Sequence, residues 1–229
     1  MKYLGDFISL IFPRICAGCG NNLWNKEETI CHFCEYHLPK TNFHQDPENP
    51  VSCLFRGRVE IETGAAFLYF HKGSNVQRLV HQLKYKGRKD VGIYLGKRYG
   101  HLLKYSPHFN SADAIIPVPL HRKKQMQRGY NQSEQFAIGL SGSMNIPVNT
   151  LLLSRIKATE TQTRKSRFSR YENVRDIFSV ARPGESAGKH LLLVDDVVTT
   201  GATLESCVLA LSEIPGIRVT IACIATAMI

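Results

Sequence analysis

No apolar run in this 229-residue chain approaches the roughly 20 residues needed to cross a bilayer. The stretch from Leu10 to Ile15 is interrupted by Pro13 and Arg14, so no membrane insertion is expected. The start, Met1 to Phe12, has a short apolar segment but no weighty basic region before it and no small-residue cleavage site. That argues against a secretion signal and for a cytoplasmic protein. Internal repeats and low-complexity segments are missing as well. Acidic residues are in deficit: 19 Asp and Glu against 29 Lys and Arg leave a formal charge of +10. A basic balance suits polyphosphate ligands and nucleic acid alike, so charge by itself does not separate them.

The remainder is ordinary for a globular chain, with 43% hydrophobic and 21% charged residues. The length accommodates one α/β domain and a small appendage. Residues 1–14 read as a short amphipathic helix, with Leu4, Phe7, Ile8 and Phe12 on one face. Cys16-Ala-Gly-Cys19 and Cys31-His-Phe-Cys34 then form two Cys-x-x-Cys pairs. Pairs at this spacing point to a structural zinc site with Cys16, Cys19, Cys31 and Cys34 as ligands. Thiolate softness favours zinc over magnesium or calcium. Two disulfides or a redox pair are the alternatives, and a chain without a secretion signal argues against the first. Leu23 and Trp24 are expected to pack against this module. Residues 39–50, with Pro39, Pro47 and Pro50, read as a linker. This gives a boundary between 1–50 and a main domain at 51–229. Cys53 reads as a buried or partly buried bystander.

The stretch from Leu191 to Leu204 carries the chemistry. An apolar run reads as a strand buried on both faces. Asp195 and Asp196 follow, where the run should be leaving the core. Thr199, Thr200, Gly201, Ala202 and Thr203 then form a hydroxyl-rich turn, and Leu204, Val208 and Leu211 recur at helical spacing. A turn feeding a helix N-terminus offers free N–H groups to an anion. The carboxylates cannot bind a phosphate, but they accept hydrogen bonds from a vicinal diol. A phosphate at one end and a diol at the other fit a ribose 5-phosphate.

That constellation resembles the phosphoribosyl pyrophosphate (PRPP) motif of type I phosphoribosyltransferases. The resemblance implies that Asp195 and Asp196 hold the ribose hydroxyls while Thr199 to Thr203 cradle the 5-phosphate. It also implies magnesium, arriving with PRPP.

Upstream, residues 64–70 read as a strand, followed by helices around Val76 to Leu83 and Val91 to Tyr105. Between them lies a basic cluster, Lys84-Tyr85-Lys86-Gly87-Arg88-Lys89. It has three readings: a solvated helix end, a wall of the polyphosphate site, or a patch for nucleic acid. Ala112 to Leu120 reads as a strand running into a proline-stiffened loop, followed by a helix with Phe136, Ala137 and Leu140 inward. Ile116-Pro-Val-Pro-Leu-His-Arg with Arg128-Gly-Tyr-Asn-Gln resembles the ComF family (competence protein ComFC and GntX-type proteins). That family pairs an N-terminal zinc ribbon with a phosphoribosyltransferase domain. The resemblance implies that Pro119, Leu120, His121 and Arg122 bind pyrophosphate. For His121, donation to pyrophosphate and capping of the loop are both open.

Gln162-Thr-Arg-Lys-Ser-Arg-Phe through Asn173-Val and Phe178 extends the resemblance. Positions 155–175 hold seven Arg and Lys against two Glu, too much charge to bury, so an exposed, mobile loop is expected. By position it is the loop that closes over PRPP in the superfamily. Arg164, Lys165 and Arg167 are the catalytic candidates for neutralising the departing pyrophosphate. A basic surface loop, or one touching DNA, is the alternative. Arg164-Lys165 stands where many members have Gly-Leu.

Strands alternate with helices from residue 64 onward. The expected architecture is α/β: a mostly parallel sheet flanked by helices, of the type I phosphoribosyltransferase kind, with a small N-terminal zinc ribbon. The resemblance implies a PRPP-binding protein of DNA uptake, with single-stranded DNA and the competence helicase as partners. The other class is an active transferase moving ribose 5-phosphate to a nucleobase or amine. No segment reads as a hood for an acceptor base. On this reading, metal removal disorders residues 16–34 locally, and both Asp195 and Asp196 face solvent in the empty site.

Overall fold

A computed structural model describes residues 13–24, 26–156 and 177–227. The candidates Arg164, Lys165 and Arg167 lie outside the described residues, as does most of the N-terminal helix expected over 1–14.

Four parallel strands make the main sheet, in the order β1-β6-β5-β2. They are β1 (Thr63–Tyr69), β2 (Ala114–Pro117), β5 (His190–Val198) and β6 (Arg218–Thr226). β3 (Leu153–Arg155) and β4 (Phe178–Val180) form a separate antiparallel pair. The expected parallel α/β sheet is therefore observed.

The last strand inserts between the first and β5. Central strands of such a sheet are covered on both faces, which accounts for their unbroken apolar runs. On β5, Leu192 and Val194 belong to one buried core, and Leu191 and Leu193 to the other. The alternation follows the two-residue period of a strand.

The first face is covered by α3 (Asn75–Tyr85), α4 (Lys89–Leu103) and α7 (Gln132–Met144); the short helices α1 (His32–Tyr36) and α2 (Pro50–Cys53) precede α3, and α5 (Pro107–Asn110) and α6 (Arg122–Arg128) lie between α4 and α7. The helix α8 (Ala202–Leu211) covers the second. In α3, Val76, Leu79, Val80 and Leu83 are buried at helical spacing, and the Ser74 side chain caps the start by accepting from the Gln77 amide at 3.2 Å. α4 and α7 cross at backbone contact. A Cβ on Gly96 would lie 2.3 Å from the Phe136 carbonyl oxygen, and one on Gly139 would lie 2.2 Å from that of Ile93. Only glycine fits at either position.

Three expectations are corrected. Residues 39–50 are not a free linker: Lys40 bridges Leu68, the Thr41 amide donates to Phe67 at 3.0 Å, and buried Asn49 donates from Nδ2 to the Gly64 carbonyl at 2.7 Å. The segment satisfies groups along β1, so its prolines shape a packed run. Trp24 is exposed, while Leu23 packs on the core. Cys53 is exposed at the end of its short helix.

Candidate functional site

β2 pairs with β5 only as far as Pro117 opposite Val194. The Val118 amide donates once more, to Val194 at 2.9 Å, and the chain then departs. Proline has no amide to continue a ladder. On its other side β5 stays paired with β6 through Val198 opposite Thr226. Residues 195–198 are therefore open along one edge, at the carboxyl end of the sheet, where ligands of α/β folds bind.

Asp195 and Asp196 stand at the start of that open edge, within the strand. Consecutive strand residues point to opposite faces. Asp196 turns toward α3, where Lys84 Nζ lies 2.9 Å from its Oδ1. Asp195 accepts from Ser133 Oγ at 2.8 Å and from the Asp196 amide at 2.8 Å, both on Oδ1. Burial pushes the Asp195 carboxyl up to about 7, and the neighbouring Asp196 charge adds to the rise; Ser133, the Asp196 amide and Lys84 oppose it. The expectation that both carboxylates face solvent is thus corrected. Each is half-buried and partnered, because the strand that carries them is still inside the sheet.

Thr199, Thr200, Gly201, Ala202 and Thr203 line one small pocket together with Asp195, Val197, Val198 and Leu204. Gly201 holds the left-handed conformation (φ +75°) that turns strand into helix, and α8 has no side-chain cap. Its first amide, that of Ala202, makes a long contact with Thr200 Oγ1 at 3.5 Å, and the amides of Thr203 and Leu204 are left for an anion. Asp196 is not part of that lining.

Pro119, Leu120, His121 and Arg122 form the loop leaving β2 and entering α6. His121 is the N-cap of α6: its Nδ1 accepts from the Lys123 amide at 3.3 Å. Of the two readings left open for it, the cap is the one present. Arg122 is exposed at the first helical position.

The segment Arg128–Ser133 ties these parts together. Gly129 ends α6 in the left-handed region. The Tyr130 hydroxyl donates to the Leu83 carbonyl, one residue before Lys84. Asn131 caps α7 and donates from Nδ2 to the Val118 carbonyl at 2.9 Å. The motif thus fixes Lys84, the loop after β2 and Ser133 relative to one another.

The basic cluster divides. Lys84 enters the site, Arg88 is paired with Asp90 at 2.8 Å, and exposed Tyr85 carries the Arg128 guanidinium 5.4 Å from its ring centroid. Sequence reading missed Ser133 and Arg58. No local signal marks either: a serine at the second position of a helix, and an arginine in a turn 142 positions before its partner.

At the other end of the chain, Cys16, Cys19, Cys31 and Cys34 place their sulfurs within 4.8 Å of one another. Cys19 and Cys31 sulfurs are 3.7 Å apart, close to the edge of about 3.8 Å of a tetrahedron with metal–sulfur bonds near 2.3 Å. Amide N–H groups point at two of them: Cys31 at Cys16 Sγ (3.2 Å) and Cys34 at Cys31 Sγ (3.4 Å). This donor set fits a metal ion such as zinc, and all four are free thiols. Among the described residues it is the one group of this kind.

Residues 131–228 match the phosphoribosyl transferase domain family. Over 93 residues the chain is 42% identical to competence protein F of Haemophilus influenzae, covering 40% of this chain and 41% of that protein. Over 129 residues it is 32% identical to DNA utilization protein YhgH of Salmonella typhimurium, covering 55% and 56%. Over 99 residues it is 27% identical to competence protein ComFC of Bacillus subtilis, covering 43% and 38%. The chain is similar to ComF-family proteins and carries a phosphoribosyl transferase domain match over its C-terminal part. The chain spans about half the length, or less, of these relatives. The domain match begins at Asn131, the cap that joins α7 to the loop after β2, and includes Ser133, the acid pair and the Thr199–Thr203 turn. Among its described residues no helix is long and apolar enough to cross a membrane.

Proposed function

We propose that this protein binds PRPP at the open edge of β5 and acts in DNA uptake. One observation carries the reading: Asp195 and the Thr199–Thr203 turn line the same pocket, with an uncapped helix N-terminus at its end. The 5-phosphate would take the α8 amides and threonine hydroxyls. The ribose hydroxyls would donate to Asp195 and Asp196, and pyrophosphate would lie along residues 119–122. Magnesium would arrive as the counter-ion of PRPP. Asp195 and Asp196 are already engaged by Ser133, backbone amides and Lys84, and a dedicated octahedral cage needs more oxygens than they leave. Zinc is the ion assigned to the four cysteines, and a cytoplasmic setting goes with reduced thiols. Calorimetry with PRPP and magnesium tests the reading: saturable binding in the micromolar range is expected, and well-folded protein giving no heat and no affinity would refute it. Incubation with PRPP, magnesium and nucleobase pools should release no pyrophosphate beyond spontaneous hydrolysis. Base-dependent release would make the protein a transferase instead.

The DNA role draws on the relatives' names and on one surface. No residue of α6 is buried; it presents Arg122, Lys123 and Lys124 beside exposed Met126, and its last residue, Arg128, lies over Tyr85. Cations beside exposed aromatics suit the phosphates and bases of single-stranded DNA. Lys123→Glu with Lys124→Glu is expected to weaken single-stranded DNA binding about tenfold and to flatten its salt dependence by about two phosphate contacts. Fluorescence anisotropy at several salt concentrations reads both, and an unchanged slope would move the DNA elsewhere. The helicase partner belongs to the same reading, and co-purification of the two proteins tests it.

A further inference from the structure

The phosphate turn is held from outside by a residue that belongs to neither the acid pair nor the turn. Arg58 follows α2 in the chain. Its Nη1 donates to the Thr200 carbonyl at 2.9 Å and to the Leu54 carbonyl at 3.1 Å, and its Nη2 pairs with Glu205 in the first turn of α8. Three elements therefore meet on one planar fork. Beside it, the buried Phe55 ring stands against Gly201: a Cβ added there would come within 3.0 Å of Phe55 Cε1 and 3.1 Å of Cζ.

The peptide bond between Thr200 and Gly201 is planar and trans, so its C=O and N–H point in opposite directions. Arg58 takes the carbonyl on the outer side. The Gly201 amide must then point the other way, toward the pocket that residues 199–203 line with Asp195. No described residue accepts from that amide.

We propose that Arg58 is a positioning residue of the sugar-phosphate cradle: by holding the Thr200 carbonyl it turns the Gly201 amide into the cup before any ligand arrives. This rests on the PRPP reading above and adds to it a specific device. Because the guanidinium charge is already paired with Glu205, its contribution is orientation rather than added positive charge. A pre-aimed amide spares the ligand the cost of ordering the turn. Lysine cannot replace it, since an ammonium has no rigid fork to span two carbonyls and a carboxylate.

The test compares wild-type, Arg58→Ala and Arg58→Lys proteins with three probes: PRPP, ribose 5-phosphate and inorganic pyrophosphate. Arg58→Ala is expected to weaken PRPP and ribose 5-phosphate at least tenfold and to leave pyrophosphate affinity unchanged. Arg58→Lys is expected to restore less than half of that loss on a logarithmic scale. A parallel titration with inorganic phosphate follows the Gly201 amide resonance by NMR. It should move in the wild type and stand still in Arg58→Ala. Equal weakening of all three probes, full recovery with lysine, or an unaltered Gly201 response in the alanine variant would each overturn the proposal. Wild-type protein that ignores PRPP while its Gly201 amide still answers phosphate in an Arg58-dependent way would sink the ligand assignment and leave the positioning role standing.

Discussion

Asp195→Asn combined with Asp196→Asn is expected to lower PRPP affinity at least a hundredfold while the protein stays folded, and Asp195→Asn alone is expected to make it more stable above pH 7. The binding loss follows from the diol. Above pH 7, where Asp195 has lost its proton, two ionised acceptors would be replaced by amides, and hydrogen bonds to charged acceptors are about twice as strong as neutral ones. The stability gain follows from burial. The Asp195 carboxyl is raised from 3.8 to about 7, first by burial and then by the Asp196 charge. Between those two values the folded protein holds a proton that the unfolded chain has lost. Stability contributed by that proton is therefore full below about pH 4 and is lost as pH rises through about 7. Asparagine is uncharged and keeps an oxygen to accept from Ser133 and the Asp196 amide. At pH 8 Asp195→Asn should raise Tm by roughly 4 °C; below pH 4 the two proteins should match. Calorimetry at both pH values decides it, and a lower Tm at pH 8 would mean that the charge of Asp195 holds the fold together. Asp196→Asn alone should behave differently, because it strands Lys84 beside a neutral partner.

Removing the metal from the four-cysteine cluster should lower the Tm of the whole protein by about 10 °C or more and weaken PRPP binding. Sequence alone suggests local disorder over residues 16–34. The packing says otherwise. Cys16, Ala17, Ile30, Cys31, Cys34 and Leu38 belong to the same buried core as Val76, Leu79 and Leu83 of α3 and Leu95 and Tyr99 of α4. Asn75, the first residue of α3, donates toward Cys34 Sγ at 3.7 Å, and Lys84, the residue before its last, holds Asp196. Arg88 reaches back to the Ile15 carbonyl at 3.5 Å. A structural zinc site supplies folding free energy outright, on the order of 10 kcal/mol in small zinc modules. Its loss should travel through α3 to Lys84 and the Asp196 carboxylate that it holds. A chelator titration followed by calorimetry should show one transition moving down. Two transitions, the upper one unmoved and PRPP affinity intact, would show that the module folds by itself.

Some of this protein was readable as a string of residues because the information is local. Two Cys-x-x-Cys pairs specify a metal-ligand set, since each knuckle is closed within four residues. Leu191 to Leu204 specifies strand, acids, turn and helix, since periodicity and turn chemistry act over a few positions. The family's Arg128–Gln132 motif was recognisable, although its reason was not: Gly129, Tyr130 and Asn131 serve partners in α3 and after β2. Only the tertiary structure decided which distant groups meet. The insertion of β6 between β1 and β5, the departure of β2 at Pro117, the contact of Lys84 with Asp196 and the grip of Arg58 on Thr200 join residues far apart in the chain. Such meetings depend on strand order and helix packing, which no short window of sequence encodes. The same limit hid the burial of Asp195: a strand's apolar run shows where the core begins, but its neighbours on either side decide where it stops.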